Sequence, residues 1–320
     1  MRIPILLWVF ALAWGSVCLP VAEAQYPAKP VKLIVPFPPG GASDAAARAV
    51  AQSMSASMGQ TILVENRPGA SGAIAAQAVT SAPADGYTLL WASASMVSLP
   101  LIQKSPPFQS LNDLTPVSMV GRLTYCLFVP VSLPAKSLGE LIAMLRAKPD
   151  ALSYASGSLG EFMTTEQFLK ASGARAVHVP YKGGAQAMPD LIAGRVQMNF
   201  GPFAGGYPFV NDGKLRVLAV LGAQRHVTSP DVPTMTEAGV SGVESPTWQA
   251  IFAPPKTPAD VVARLAREIE KAVSSPATRE QFARQAVVGE SSSPAKLAEQ
   301  VRADAIVWQR FVKEFNIPRE

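Results

Sequence analysis

Val31-Lys32-Leu33-Ile34-Val35 runs into Pro38-Pro39-Gly40-Gly41-Ala42-Ser43-Asp44, and an Ala-rich stretch with helical spacing follows over residues 45–58. A short β-branched run, a glycine-bearing loop and a helix, in that order, make one βα unit of a parallel sheet. The rhythm recurs. Thr61-Ile62-Leu63-Val64-Glu65 leads into Asn66-Arg67-Pro68-Gly69-Ala70-Ser71-Gly72 and a predicted helix over 73–81. Tyr87-Thr88-Leu89-Leu90-Trp91 leads into Ala92-Ser93-Ala94-Ser95. Further on, Leu152-Ser153-Tyr154-Ala155 leads into Ser156-Gly157-Ser158 and a helix reaching Lys170. Val177-His178-Val179-Pro180 leads into Tyr181-Lys182-Gly183-Gly184 and a helix ending at Ile192. The fold class is therefore α/β.

These units fall into two groups, separated by residues 117–129, a run of strand formers with little loop chemistry. Thr247-Trp248-Gln249-Ala250-Ile251-Phe252 supplies a second crossing, after which Pro258-Ala259-Asp260 opens a helix carrying Val261, Val262, Leu265, Ile269 and Val273 on one face. Two crossings predict two lobes with parallel-rich sheets. Residues 25–125 and 248–320 would form the first lobe, and residues 126–247 the second.

Ahead of the first lobe, Arg2 precedes an apolar run over 3–14, and Ala22-Glu23-Ala24 stands before Gln25. That is the pattern of a cleavable secretory leader over 1–24. The apolar run falls short of the ~20 residues a membrane-spanning helix needs. Val17 in front of Cys18 makes a poor lipidation site. Loss of the leader leaves Cys126 as the remaining cysteine, so no disulfide framework is expected. In Tyr125-Cys126-Leu127-Phe128-Val129 it reads as a small buried hydrophobe. The net charge of +5 is unchanged by losing Arg2 and Glu23, and the basic residues are scattered rather than gathered into a nucleic-acid patch.

Catalytic motifs are missing: there is no Gly-x-Ser-x-Gly elbow, phosphate-binding lysine loop or dinucleotide turn. The histidines, His178 and His226, stand in no paired ligand spacing. We expect no catalytic residue, metal or cofactor, although a carboxylate pair assembled in space stays open. What the chain offers is a set of loops at the C-terminal ends of parallel strands, where open α/β sheets gather ligands. Free N–H groups and the positive helix end favour an anion there. The segment 38–43 is the strongest candidate, with Ser43 or Asp44 placed to cap the helix. One helix end contributes ~0.3–2 kcal/mol, whereas micromolar binding takes about 8 kcal/mol. Several loops must converge on one ligand, and a cleft between closing lobes lets them.

Further stretches carry a family resemblance. They are Tyr26-Pro27 with Lys29-Pro30, Val35-Pro36-Phe37-Pro38-Pro39-Gly40-Gly41 with Asp44, Glu65-Asn66-Arg67-Pro68-Gly69-Ala70-Ser71-Gly72 and Pro83-Ala84-Asp85-Gly86-Tyr87-Thr88-Leu89-Leu90. Later come Val179-Pro180-Tyr181-Lys182-Gly183-Gly184-Ala185, Gly213-Lys214-Leu215-Arg216-Val217-Leu218-Ala219-Val220, Asp231-Val232-Pro233-Thr234 and Phe252-Ala253-Pro254. In this order the chain resembles the solute receptors of the tripartite tricarboxylate transporter family, often called Bug-type receptors, over essentially the whole sequence after the leader.

The resemblance implies a two-lobed periplasmic binding protein fold, type II-like, with hinged closure on a small organic acid. It implies delivery of that carboxylate to the membrane permease subunits of a tripartite transporter, by a receptor expected to be monomeric and to bind no nucleic acid. A ligand-presenting sensor is the alternative, and a secreted enzyme a third reading. Carried over by motif, the ligand contacts are Phe37, Gly41, Ala42 and Ser43, with Ser71, Ser93, Ser156 and the segment Tyr181, Lys182, Gly183 and Gly184. Gly40, Asp44 and Ser158 from the same loops complete the expected site. Whether Lys182 points to solvent stays open.

Two departures from the family pattern bear on the ligand. Where a histidine usually follows the fourth loop, this chain has Phe162, with Glu161 beside it, and the acidic position after Gly-x-Val is occupied by Gln197. Glu161 is expected to face solvent as a first-turn helix acid; facing the cleft, it would repel a second carboxylate.

Overall fold

The structure is a computed structural model that describes residues 26–319, apart from 223, 227, 228 and 244. The expected leader lies outside the described residues. Strand β1 (Val31–Val35) buries Val31, Leu33, Ile34 and Val35 and exposes only Lys32, so it sits inside its sheet. The chain continues as α1 (Ala42–Met58), β2 (Ile62–Asn66), α2 (Ala73–Thr80), β3 (Thr88–Ser93), α3 (Leu99–Ile102) and β4 (Thr115–Leu123). It then passes into β5 (Tyr125–Pro130), α4 (Leu138–Ala147), β6 (Ser153–Ser156), α5 (Leu159–Ser172), β7 (Val177–Pro180), α6 (Gly184–Ile192), β8 (Met198–Pro202), α7 (Phe203–Asn211) and β9 (Leu215–Leu221). Last come β10 (Trp248–Ala253), α8 (Ala259–Ser274), α9 (Pro276–Arg284), β11 (Val287–Gly289) and α10 (Pro294–Glu314).

Two sheets result, in the orders β11-β4-β10-β3-β1-β2 and β7-β6-β8-β5-β9. Each is mixed rather than parallel throughout. β1 runs parallel to β2 and β3, and β6 to β7 and β8, as βα units require. At the lobe crossings β10 runs against its neighbours β3 and β4, and β5 against β8 and β9. Thr124 alone separates β4 from β5, and both lobes hold it: its N–H donates to the Ala286 carbonyl at 3.1 Å and its carbonyl accepts from Phe203 N–H at 2.8 Å. Tyr125, assigned to the first lobe from sequence, is the first residue of β5 in the second sheet. The return crossing is adjacent, since Leu123 N–H donates to the Thr247 carbonyl at 3.1 Å.

Each sheet is covered on both faces. The stripe Val261, Val262, Leu265, Ile269 and Val273 of α8 packs with α1 against one face of the first sheet, and Leu297, Val301, Trp308 and Phe311 of α10 cover the other. Trp308 donates its indole N–H to the Ala94 carbonyl at 3.1 Å, so α10 is fixed in rotation. Cys126 is buried among Phe128, Leu191 and Phe203, with its thiol pKa pushed up by burial.

Candidate functional site

The C-terminal ends of β1, β3, β6, β7 and β8 face one another across the gap between the sheets, enclosing a cavity of about 370 Å³. The first lobe contributes Phe37, Pro38, Gly40, Gly41, Ala42 and Ser43 at the start of α1, and Ser93, Ala94 and Ser95 after β3. The second contributes Gly157 and Ser158 before α5, Gly183 and Gly184 at the start of α6, Gly201 and Pro202 at the end of β8, and Ala204 and Gly205 in the first turn of α7. Tyr125, Trp248 and Gln249 form its floor near the crossings. The lobes touch, since a Cβ built on Gly183 would lie 3.1 Å from Pro38 Cδ. The first-turn amides of α1, α5 and α6 have no helical carbonyl to bond and point their dipoles at the cavity mouth.

Helix α1 starts at Ala42, three residues earlier than expected, and its N-cap is Gly41, with no side-chain cap. Neither Ser43 nor Asp44 caps it. Both lie inside the first turn, because Gly41 already has the extended conformation (φ −82°, ψ 168°) that a cap residue needs. Asp44 instead turns back and accepts from Gly40 N–H at 3.0 Å, Arg48 Nε at 3.0 Å and Asn66 Nδ2 at 2.8 Å. Asn66 Nδ2 also donates to the Phe37 carbonyl at 3.0 Å, which braces the first loop from behind. Burial opposes ionisation of Asp44, but the bonds from Arg48, Gly40 and Asn66 outweigh it and hold the carboxyl below its ordinary range.

Of the expected contacts, Phe37, Gly40, Gly41, Ala42, Ser43, Ser93, Ser158, Gly183 and Gly184 lie on the cavity wall. Five do not. Asp44 supports the loop, as described. Ser71 is exposed at the left-handed φ of 55°, in the loop after β2, which is an edge strand of the first sheet. Ser156 is buried, its hydroxyl 2.7 Å from His178 Nε2. Tyr181 directs its hydroxyl to Asp190 Oδ2 at 2.7 Å, and Lys182 is exposed.

Glu161 overturns the expectation that it faces solvent: it is 4% exposed and lines the cavity. As third residue of α5 it turns inward over the helix start, where its Oε2 accepts from Gly157 N–H at 2.6 Å. Asn199 of β8 supplies a second hydrogen bond. Burial dominates these bonds and pushes its pKa up to about 7. The Tyr125 hydroxyl is raised as well, by burial first and then by the charge of Glu161, against a bond to Ser158. Phe162 leaves the cavity and packs between His178, at 4.7 Å between ring centroids, and Phe311 of α10, at 6.1 Å.

Sequence reasoning missed Tyr125, Asn199, Trp248, Gln249 and the first turn of α7. A strand followed by Gly201-Pro202 and Gly205-Gly206 was a readable signal for that turn. The hinge residues gave none, because they reach the cavity only once the lobes are assembled.

A family model for tripartite tricarboxylate transporter family receptors matches residues 46–317. Protein BugT of Bordetella pertussis is 36% identical over 308 residues, covering 95% of this chain and 94% of its own. Among solved structures, an R. palustris protein with adipate superposes with a TM-score of 0.87 at 32% identity, covering 92% of this chain and 100% of the other. The periplasmic binding protein BugD gives 0.86 at 28% identity with the same coverage. MatC of Rhodopseudomonas palustris with bound malate gives 0.81 at 27%, covering 90% and 100%.

Proposed function

Because the chain belongs to the tripartite tricarboxylate transporter family of receptors, we propose that it is a periplasmic receptor that closes its lobes around a small organic acid and delivers it to the membrane permease subunits of such a transporter. The observation that carries this reading is the convergence of the α1, α5 and α6 N-termini on one cavity of about 370 Å³. Among the described residues no lysine, arginine or histidine lines it, so free amides and helix dipoles are what the wall offers an anion. Similar proteins solved with adipate and malate support a carboxylate as the ligand. The carboxylate would sit against the amides of Ala42 and Ser43, with Gly40 and Gly41 leaving room and Ser93 closing one side. Gly183, Gly184 and Ser158 would reach it when the second lobe closes. Residues 1–24 would direct export and be removed on translocation, giving a mature chain that starts at Gln25 and works as a monomer without cofactor or catalysis.

A thermal-shift screen of the mature protein over small mono-, di- and tricarboxylates tests this, since a ligand bound only by the folded state raises Tm. At least one acid should raise Tm by several degrees, remain chemically unchanged after incubation, and fail to accumulate in cells deleted for this chain. A flat response across all acids, repeated by calorimetry, would overturn the reading.

A further inference from the structure

Glu161 is the one ionisable acid among the described residues of the cavity wall, and no cation stands opposite it. We propose that Glu161 is a specificity-determining residue that selects organic acids whose far end, turned to the second lobe, is a hydrogen-bond donor or an ammonium group, and disfavours a second carboxylate. This rests on the receptor reading given above.

The acceptors around Glu161 point the same way. The hydrogen bonds assigned to its carboxylate come from Gly157 N–H and the Asn199 amide, while a carboxylate can accept about four. Gly184 leaves room beside it, since a Cβ there would stand 3.1 Å from Oε1. Asn199 donates its Nδ2 to the Ala155 carbonyl at 3.0 Å, which fixes the amide orientation and leaves Oδ1 buried without a partner. The spare acceptor capacity of Glu161 on the cavity wall therefore gives this end an acceptor for a ligand that donates. The other end, at the start of α1, presents amides for an anion. A monocarboxylate with a hydroxyl, amide or ammonium at its far end matches both.

The remaining titratable groups near α5 are engaged elsewhere, Tyr125 of β5 apart. His178 of β7 bonds Ser156 and stacks on Phe162. Tyr154 of β6 bonds Glu166, Asp190 of α6 bonds Tyr181 and Arg195, and Lys170 pairs with Glu314 of α10. With its pKa near 7, Glu161 carries most of its charge at pH 8 and loses most of it by pH 6.5.

The test is calorimetry at pH 8 with the mature protein and Glu161→Gln, using four matched probes: butyrate, 4-hydroxybutyrate, 4-aminobutyrate and succinate. The wild type should bind the hydroxy and amino acids more tightly than butyrate, and succinate least. Glu161→Gln should tighten succinate at least tenfold relative to butyrate and weaken 4-aminobutyrate by a similar factor. A succinate-to-butyrate ratio equal in both proteins overturns the inference while leaving the receptor reading standing. If no probe binds either protein, the inference falls, while the receptor reading stands or falls with the wider acid screen. Should the variant not fold, the wild type alone decides: from pH 8 to 6.5 succinate should gain several-fold on butyrate, and a constant ratio overturns the proposal.

Discussion

Asp44 and Glu161 occupy the same position in two helices, one in each lobe. Each is the third helical residue, and each carboxylate reaches back to the N–H of the residue before the N-cap, Gly40 at 3.0 Å and Gly157 at 2.6 Å. They differ in what else touches them. Arg48 and Asn66 hold Asp44, whereas Glu161 has an amide side chain and no cation. One carboxyl is therefore lowered and the other raised, although local sequence places both alike.

For Asp44 the lowered folded-state pKa means a stabilising contribution that is present above the ordinary aspartate value and lost as pH falls through the folded one. Asp44→Ala should cost about 1–3 kcal/mol at pH 7, the range for stranding buried hydrogen-bond partners. Urea unfolding should show the gap to wild type closing toward pH 2. A gap independent of pH would show that the carboxylate charge is not what holds the loop.

Glu161 has the opposite sign. Its folded pKa of about 7 lies above the ordinary value of 4.5, so stability is fully present below the ordinary value and declines as pH rises through the folded one. Glu161→Gln should therefore stabilise the ligand-free protein at pH 8 by about 1–3 kcal/mol and make no difference near pH 4. A less stable variant at pH 8 would show that the ionised form is the one the fold requires.

Gly41 tests the first loop. Its backbone suits any L-residue, and an added Cβ would meet only the Pro38 carbonyl at 3.8 Å. Gly41→Val should keep a near-native Tm while its methyls occupy the cavity, weakening binding about a hundredfold, or ~3 kcal/mol. Unchanged affinity by calorimetry would remove this loop from the site.

Phe162 tests closure without touching the cavity wall. Its edge-on contact with Phe311 joins the two lobes, and such pairs are worth about 0.5–1.5 kcal/mol. Phe162→Ala should speed ligand release roughly two- to tenfold in stopped-flow by favouring the open form. An unaltered release rate would mean that the ring pair does not report on closure.

Much of this was legible in the chain. The β-branched run of β1, the glycines after it and the α8 stripe identify α/β layers because burial imposes its pattern on sequence directly. Reading α1 from Ala45 failed by one turn because Gly41, rather than a hydroxyl or acid, supplies the cap conformation. Ser71 entered the expected site by its match to the family motif, yet it lies in the loop after the edge strand β2 and off the cavity wall. Composition says that a loop can bind; position in the sheet decides whether it meets the others.

By itself, the sequence determined the α/β class, the repeated βα units and the glycine loops that leave amides free. These depend on local steric freedom and on hydrophobic periods a few residues long. Tertiary structure decided that Asn199, Gln285 and Tyr125 join the cavity wall, that Phe162 bridges the lobes, and that Glu161 turns inward. A carboxylate's charge and reach are encoded in one residue, but its surroundings come from α5, β5, β8 and the α6 turn together. Burial among those separate segments, which no local pattern records, is what raises its pKa and makes it a feature of the cleft.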